Sequence, residues 1–426
     1  MYPSETMQRK LLTGLALLII PALALASNWP RFRGPNGAGI AMDKGIPIHF
    51  DDKDGVLWKT AIPGAGNSSP IVWGDRIFLQ TAGNSDERQL VCIDAGNGKI
   101  LWSKSEAGGS AKKHQKNTFA SSTPATDGER VYANFWDGQR VALFAFDFKG
   151  NELWKHDLGT FTSQHGAGAS PIVFEDVIIL NNDQDGTANL IALKARSGEV
   201  AWEATRRPYR ACYSTPFMLV HGSKAELIVA STGGITSYDP HSGAVNWDWI
   251  WDFSGSMPLR TVGSPVYSNG LIVAASGDGS GARHLVAIRA NNGKPELVWE
   301  LKKRTPYVPT IVAYGDHVFF VNDDGVAGCL RATTGDSVWT ERLSGGGNVS
   351  ASPILIDGKI YAISEEGTAF VYRAADKYEL LAKNPLNEPV MATPAVANNC
   401  LFVRGKNHLF CIGKSPVSGK NHAGSE

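Results

Sequence analysis

The sequence predicts an all-β fold, an eight-bladed β-propeller with four-stranded blades, and three observations carry that prediction. A small residue or Val, then Pro, then apolar residues recurs at Pro70, Pro124, Pro171, Pro216, Pro265, Pro309, Pro353 and Pro394, at intervals of roughly 41 to 54 residues, the period of propeller blades. Each interval is filled by short apolar runs separated by Gly, Asp and Asn, the mark of antiparallel strands and tight turns. Finally, a Gly stands four positions before a Trp at Gly98/Trp102, Gly150/Trp154, Gly198/Trp202, Gly243/Trp247 and Gly335/Trp339, and six before it at Gly293/Trp299.

The first unit, residues 68–102, sets the plan. Its apolar runs at 70–73, 76–80, 90–93 and 100–102 are too short for ordinary helices. The turn Gly96-Asn97-Gly98-Lys99 supplies residues that tolerate positive φ, as hairpins require. The last opening, at Pro394, leaves room for only three strands before the chain turns polar at Gly413. Trp58, in DGVLWKT, lies upstream of the first opening and is the orphan strand that fits there. Closure of this kind joins the two ends of the ring and removes two sheet edges. Aligned on Trp339, the seventh blade carries Leu381 in place of the indole.

Trp58, Trp102, Trp154, Trp202, Trp247, Trp299 and Trp339 are expected to pack between blades. An indole buries roughly 150–250 Å², worth an upper bound of about 4–6 kcal/mol at about 25 cal/mol/Å².

A chain of 426 residues with 43% hydrophobic residues can bury a large core, and length alone suggests two or three domains. The repeat argues instead for one ring over 55–413. With 41 basic and 41 acidic residues the net charge is zero, so nothing draws the molecule as a whole to nucleic acid or an anionic membrane, and charge-based recognition is local.

Residues 1–26 read as a secretory signal: Gln8-Arg9-Lys10, an apolar run over 11–25, and Ala24-Leu25-Ala26 as a cleavage site. The expected product is periplasmic or secreted, without an integral span after signal removal, and monomeric. Export permits disulfides. The cysteines are Cys92, Cys212, Cys329, Cys400 and Cys411. A two-residue turn at Gly405-Lys406 would set Cys400 opposite Cys411, as a cross-strand disulfide or as two buried thiols. Residues 414–426 read as a disordered tail.

Residues 27–54 are rich in Pro and Gly and lack periodicity, and are expected to pack over the ring as an irregular segment. They contain the opening NWPRFRGPNGAG. A W-P-x-F-R-G-P-x-G opening, followed by repeats with an SSP start and a D-A-x-x-G-x-x-x-W finish, resembles secreted bacterial proteins of the pyrroloquinoline-quinone (PQQ)-like propeller class. The resemblance covers most of the chain beyond the signal. It implies the fold, and it implies roles as diverse as quinone-dependent alcohol dehydrogenases and an outer-membrane assembly lipoprotein. This sequence lacks the adjacent cysteine pair typical of the dehydrogenases, the C-x-x-C-H of their haem-bearing members, and the acylated cysteine of the lipoprotein.

No H-E-x-x-H, C-x-x-C, G-x-S-x-G or Walker-type loop occurs, which removes the commoner hydrolase and NTPase signatures. The ten His residues are scattered without zinc spacing. The nearest metal lookalike is Asn181, Asp183 and Asp185 before Gly186, which resembles a calcium loop. Against that reading, Asp137-Gly138, Asp278-Gly279, Asp324-Gly325 and Glu366-Gly367 stand at corresponding places, so an acidic residue before Gly is the recurring hairpin between second and third strands.

The connection entering each blade emerges on the same face as that hairpin and ends near the axis. Lys116, His165, Arg210, Arg260 and Arg304 lie five to eight residues before an opening proline, and Asn348 continues the series. These groups would line one funnel mouth and hold an anion: a multi-carboxylate cofactor such as PQQ, with calcium, an acidic glycan or an acidic peptide. The alternative pairs them with the acidic hairpins on the same face. Tyr209, Trp249, Trp251, Phe253 and Tyr307 are nearby aromatics. Two functions follow. One is a module binding a ligand or partner protein through the loop-bearing face; the other is a quinone-dependent oxidoreductase acting on alcohols or sugars. Polysaccharide degradation lacks an identifiable carboxylate pair.

Overall fold

The computed structural model describes residues 27–83, 86–254, 256–291 and 293–414. The signal expected at 1–26, and the expected tail apart from Lys414, lie outside them. Eight four-stranded antiparallel blades form the ring; in seven the strands run outward from the axis in chain order, and the eighth takes its outermost strand from ahead of the first blade. In the first blade the strands are Ile71–Trp73, Arg76–Ala82, Glu87–Asp94 and Ile100–Ala107. The second and third strands are buried on both faces, whereas the outermost alternates half-buried and exposed positions. That contrast explains why the middle strands read as continuous apolar runs.

Innermost strands follow the opening prolines: Ile71–Trp73, Ala125–Thr126, Ile172–Phe174, Phe217–His221, Val266–Ser268, Val312–Tyr314, Ile354–Ile356 and Ala395–Ala397. Pro309 is the exception. Thr310 accepts a backbone hydrogen bond from Ser264 just as Ser352 does from Thr310, so Ile311 occupies the sixth blade's proline position and Pro309 lies earlier.

The eighth blade consists of Ala395–Ala397, Cys400–Arg404 and His408–Ile412, completed by Val56–Ala61. Trp58 pairs with Cys411, which is the expected closure.

The Gly and Trp of the repeat act between blades. Trp58 donates its indole N–H to Ala95, Trp102 to Phe148, Trp154 to Ala195, Trp202 to Pro240, Trp299 to Ala332 and Trp339 to Ala375, always to a backbone carbonyl in the outer turn of the following blade. In five of these turns a glycine lies under the arriving indole, and in the turn that receives Trp339, which has none, Tyr378 packs against the ring. A Cβ on Gly243, whose φ is +72°, would sit 2.5 Å from Trp202 Cε3. Each Gly thus makes room for the preceding blade's Trp, while its own Trp reaches onward. Trp247 departs, donating to Glu226 of its own blade at 3.0 Å; accordingly Gly293, in the stretched repeat, has no neighbour within 4 Å of a Cβ.

Two register expectations are corrected. In the seventh blade Val371 pairs with Ala382 and Tyr372 with Leu380, as Cys329 pairs with Trp339 and Leu330 with Ser337 in the sixth. Ala382 is therefore the Trp equivalent, and Leu381 is the bulge residue. In the eighth blade Phe402, not Cys400, lies opposite Cys411. The hairpin is wider than two residues because Glu388 accepts hydrogen bonds from the Asn407 and His408 amides at 2.5 and 2.8 Å and contacts His408 Nδ1 at 2.7 Å. Cys400 and Cys411 are free thiols, diagonal neighbours across the hairpin, since Cys411 faces Phe402.

The segment after residue 27 is a plug across the axial channel. Trp29 exchanges backbone hydrogen bonds with Val72 of the first blade, and the Pro30 carbonyl accepts from Thr126 of the second. Asn36 exchanges hydrogen bonds with Met218 of the fourth. Arg33, wholly buried, donates to Ile311 at 2.7 Å and to Pro353 at 3.0 Å on the opposite side. Ile40–Ala41 then adds a parallel strand beside Leu355 and Ile356. The Gly-rich composition is needed here: a Cβ on Gly34 would enter the Trp29 indole, and one on Gly39 the Arg33 guanidinium. No helix among the described residues is long and apolar enough to cross a membrane.

Candidate functional site

The plug closes the channel at one end, and the space left above it is a funnel of about 600 Å³, within the range of small-molecule sites. Phe32, between the two buried arginines of the plug, forms its floor.

Above the floor runs a ring of hydroxyls supplied by the residue before each inner strand's proline position. The Ser69 amide donates to Thr123 Oγ1 at 3.0 Å and Thr123 to Ser170 Oγ at 3.0 Å. A second arc passes from Thr215 through Ser264, Thr310 and Ser352 to Thr393, each amide 2.9–3.0 Å from the next hydroxyl. Ser/Thr at these positions thus bonds neighbouring blades to each other at six of the eight junctions around the axis. The signal lies in the sequence as Ser or Thr before seven of the eight opening prolines.

Of the expected mouth residues, Lys116, His165, Arg210 and Arg260 line the funnel together. Their electrostatic states differ. Lys116 Nζ lies 2.6 Å from Glu365 Oε1, so this pair follows the alternative in which a basic connection meets an acidic hairpin. His165 packs against His114 with the rings tilted and their centroids 5.1 Å apart; burial, then the charges of Arg260, His114 and Arg210, hold its pKa down at about 4 despite Asp185. It is neutral at pH 7. Arg210 reaches only the Pro258 carbonyl, at 3.3 Å, and Met257 Sδ. Arg260 is 4% exposed and donates to the Ala211 carbonyl at 3.2 Å. Neither arginine makes an ion pair among the described residues, so both charges remain available to the cavity.

Arg304 and Asn348 do not join them. Arg304 is exposed with φ +59°, which turns the connection outward; Tyr307 takes the wall position instead. Asn348 is exposed, and its carbonyl accepts the Glu365 amide. Sequence reasoning also missed Arg283, which follows the Asp278 hairpin. It donates to the Asp278 carbonyl at 2.6 Å, lies 3.9 Å from Asp323, and sits 5.4 Å from the Tyr307 ring centre.

The funnel's carboxylates are already engaged. Asp278 accepts from the Ser280 and Ala282 amides of its own turn. Asp323 accepts from the Tyr307 and Val308 amides, and burial still raises its pKa. Burial likewise pushes the Tyr307 phenol to about 12.

The calcium lookalike does not converge on an open cage. Asp183 is held by Arg206 through two hydrogen bonds of 2.6 and 2.9 Å and by Asn181 at 3.1 Å, all buried. Asp185 accepts the Ala211 amide at 2.7 Å, fixing the connection that carries Arg210. No group of three His, Cys, Asp or Glu side chains able to hold a metal occurs among the described residues.

The family model described as outer membrane protein assembly factor BamB matches residues 43–162, 142–341 and 323–415. Among solved structures, the chain is similar to BamB from Moraxella catarrhalis at 14% identity, covering 87% of this chain and 99% of that one, with a TM-score of 0.62. It is equally similar to the quinohemoprotein alcohol dehydrogenase of Comamonas testosteroni, at 12% identity over 92% and 81% of the two chains and a TM-score of 0.62. Sqt1 of Saccharomyces cerevisiae matches at 12% identity over 88% and 98%, with a TM-score of 0.57. At such identities these likenesses speak for the fold. No curated protein matches the sequence.

Proposed function

Since this chain belongs to the PQQ-like propeller family whose model is described as outer membrane protein assembly factor BamB, we propose that it is an exported binding or scaffold module. It acts as a monomer in the periplasm or outside the cell, and holds a ligand or partner protein at the funnel on its loop-bearing face. One observation carries this reading: the axial channel is blind, and its open end presents Arg210 and Arg260 without carboxylate partners. Uncompensated buried guanidinium is costly in the free protein and is offset when an anion arrives.

The family likeness to a quinohemoprotein alcohol dehydrogenase raises a second role, and the donor set speaks against it. Arg210 and Arg260 suit the carboxylates of PQQ. Calcium and a catalytic base need free carboxylates, however, and Asp278 and Asp323 are committed to backbone amides. The residues present do not fit that group.

The test is direct. Purified protein is incubated with PQQ and calcium, desalted, examined for a retained chromophore, and assayed for dye reduction with alcohols and sugars. The binding reading expects neither a chromophore nor turnover; turnover would overturn it.

A further inference from the structure

The base of the funnel is a donor surface. Thr123, Ser170, Thr310, Ser352 and Thr393 line it, and each hydroxyl oxygen already accepts the amide of a neighbouring blade. A hydroxyl carries one hydrogen and two lone pairs. None of these five donates to an acceptor among the described residues, so the hydrogens remain for whatever occupies the axis. Above them stand Arg260, more than nine-tenths buried and aimed into the same space, and Arg210. His165 adds a buried Nδ1 with no partner. Phe32 below and Tyr307 on the wall supply aromatic faces.

Resting on the binding reading above, the geometry points to an acidic sugar as the occupant: the terminal residue of a glycan carrying a carboxylate or sulfate. The ring of hydroxyl donors calls for acceptor oxygens distributed around the ligand's perimeter, which the hydroxyl and ether oxygens of a pyranose provide. A peptide would bring backbone N–H groups down onto a base already made of donors and leave them unpaired. A bare inorganic anion would leave most of the 600 Å³ unfilled. The two arginines take the oxyanion, and the aromatic rings take the sugar's C–H faces. Because the plug seals the far end, a polymer cannot thread the ring. Only a chain end enters.

Calorimetry at low salt on the protein without its signal tests this, with glucuronic acid and glucose 6-sulfate as probes, and glucose, citrate and an acetylated Asp-Glu dipeptide as comparators. The expected result is binding of one or both acidic sugars, at least ten-fold weaker binding of every comparator, and at least ten-fold loss in Arg260→Met. Arg210→Met, at the partly exposed rim, should show the same loss with an unchanged melting midpoint. Binding of glucose, citrate or the dipeptide as tightly as the acidic sugars would overturn the assignment. So would unaltered affinity in Arg210→Met, or no binding by either acidic sugar. Failure here with no quinone turnover defeats the sugar alone; quinone turnover defeats the binding reading itself.

Discussion

Trp202 and Gly243 offer the sharpest test of how the blades are joined. Trp202 is 8% exposed and donates to the Pro240 carbonyl at 2.9 Å, with Gly243 beneath its ring. Removing an indole of roughly 150–250 Å² at about 25 cal/mol/Å² gives an upper bound of about 4–6 kcal/mol, and measured core truncations place Trp202→Ala at about 3–5 kcal/mol. Gly243→Ala carries two separate penalties. At φ +72° an L-residue costs about 1–2 kcal/mol, and its Cβ would stand 2.5 Å from Trp202 Cε3, forcing the indole out. In the double variant the second penalty vanishes while the first persists. The pair should therefore be less destabilised than the sum of the single changes, by about 1–3 kcal/mol. Equilibrium denaturation followed by far-ultraviolet circular dichroism measures all three variants without depending on the missing fluorophore. Additivity to within about 0.5 kcal/mol would refute the account of the Gly–Trp interval as an inter-blade contact.

Asp183→Asn should destabilise by about 3–5 kcal/mol, because it strands the buried Arg206 charge, and millimolar calcium should leave the melting temperature of the parent protein unchanged; a calcium-dependent rise lost in Asp183→Asn would restore the metal reading. His165 should titrate near pH 4 by nuclear magnetic resonance, from burial first and then from Arg260, His114 and Arg210. Its folded pKa lies below the ordinary 6.5, so its contribution to stability is intact above pH 6.5 and is lost as pH falls towards 4; an observed value at 6.5 would show the funnel to be wet and uncharged. Mild oxidation should link Cys400 to Cys411 and no other pair, since Cys92, Cys212 and Cys329 sit singly elsewhere; peptide mapping that finds another pairing would contradict the eighth blade's register.

Blade number and closure were legible because they rest on periodicity and on one unmatched strand, both local to the sequence. The errors are of another kind. Ala382 was mistaken for Leu381 because a bulge adds one residue that no composition announces. The Cys400–Cys411 register slipped because Glu388, in the connection before the blade, sets the width of a hairpin far from itself in sequence. Spacing alone places four of the six expected mouth residues on the funnel wall. Arg304 turns outward at its own positive φ, and Arg283 enters from a hairpin, not from the connection into a blade. The plug was least legible: its partners are backbone carbonyls on several blades, which leave no side-chain pattern behind.

The pairing of Val56–Ala61 with His408–Ile412 also orders events in time. The strand that completes the last blade is made before the first blade, yet its partner is made after all the other strands of the ring, so the circle cannot shut until that partner exists. Until then the early strand and the first blade's flank stay unpaired, open to foreign edges and to helper proteins. Bringing segments some 350 residues apart together costs on the order of 5 kcal/mol of chain entropy if nothing intervenes. Growth of the arc one wedge at a time curls the ends towards each other and spreads that cost over every step, so assembly from the amino-terminal side is the economical route to a shut ring.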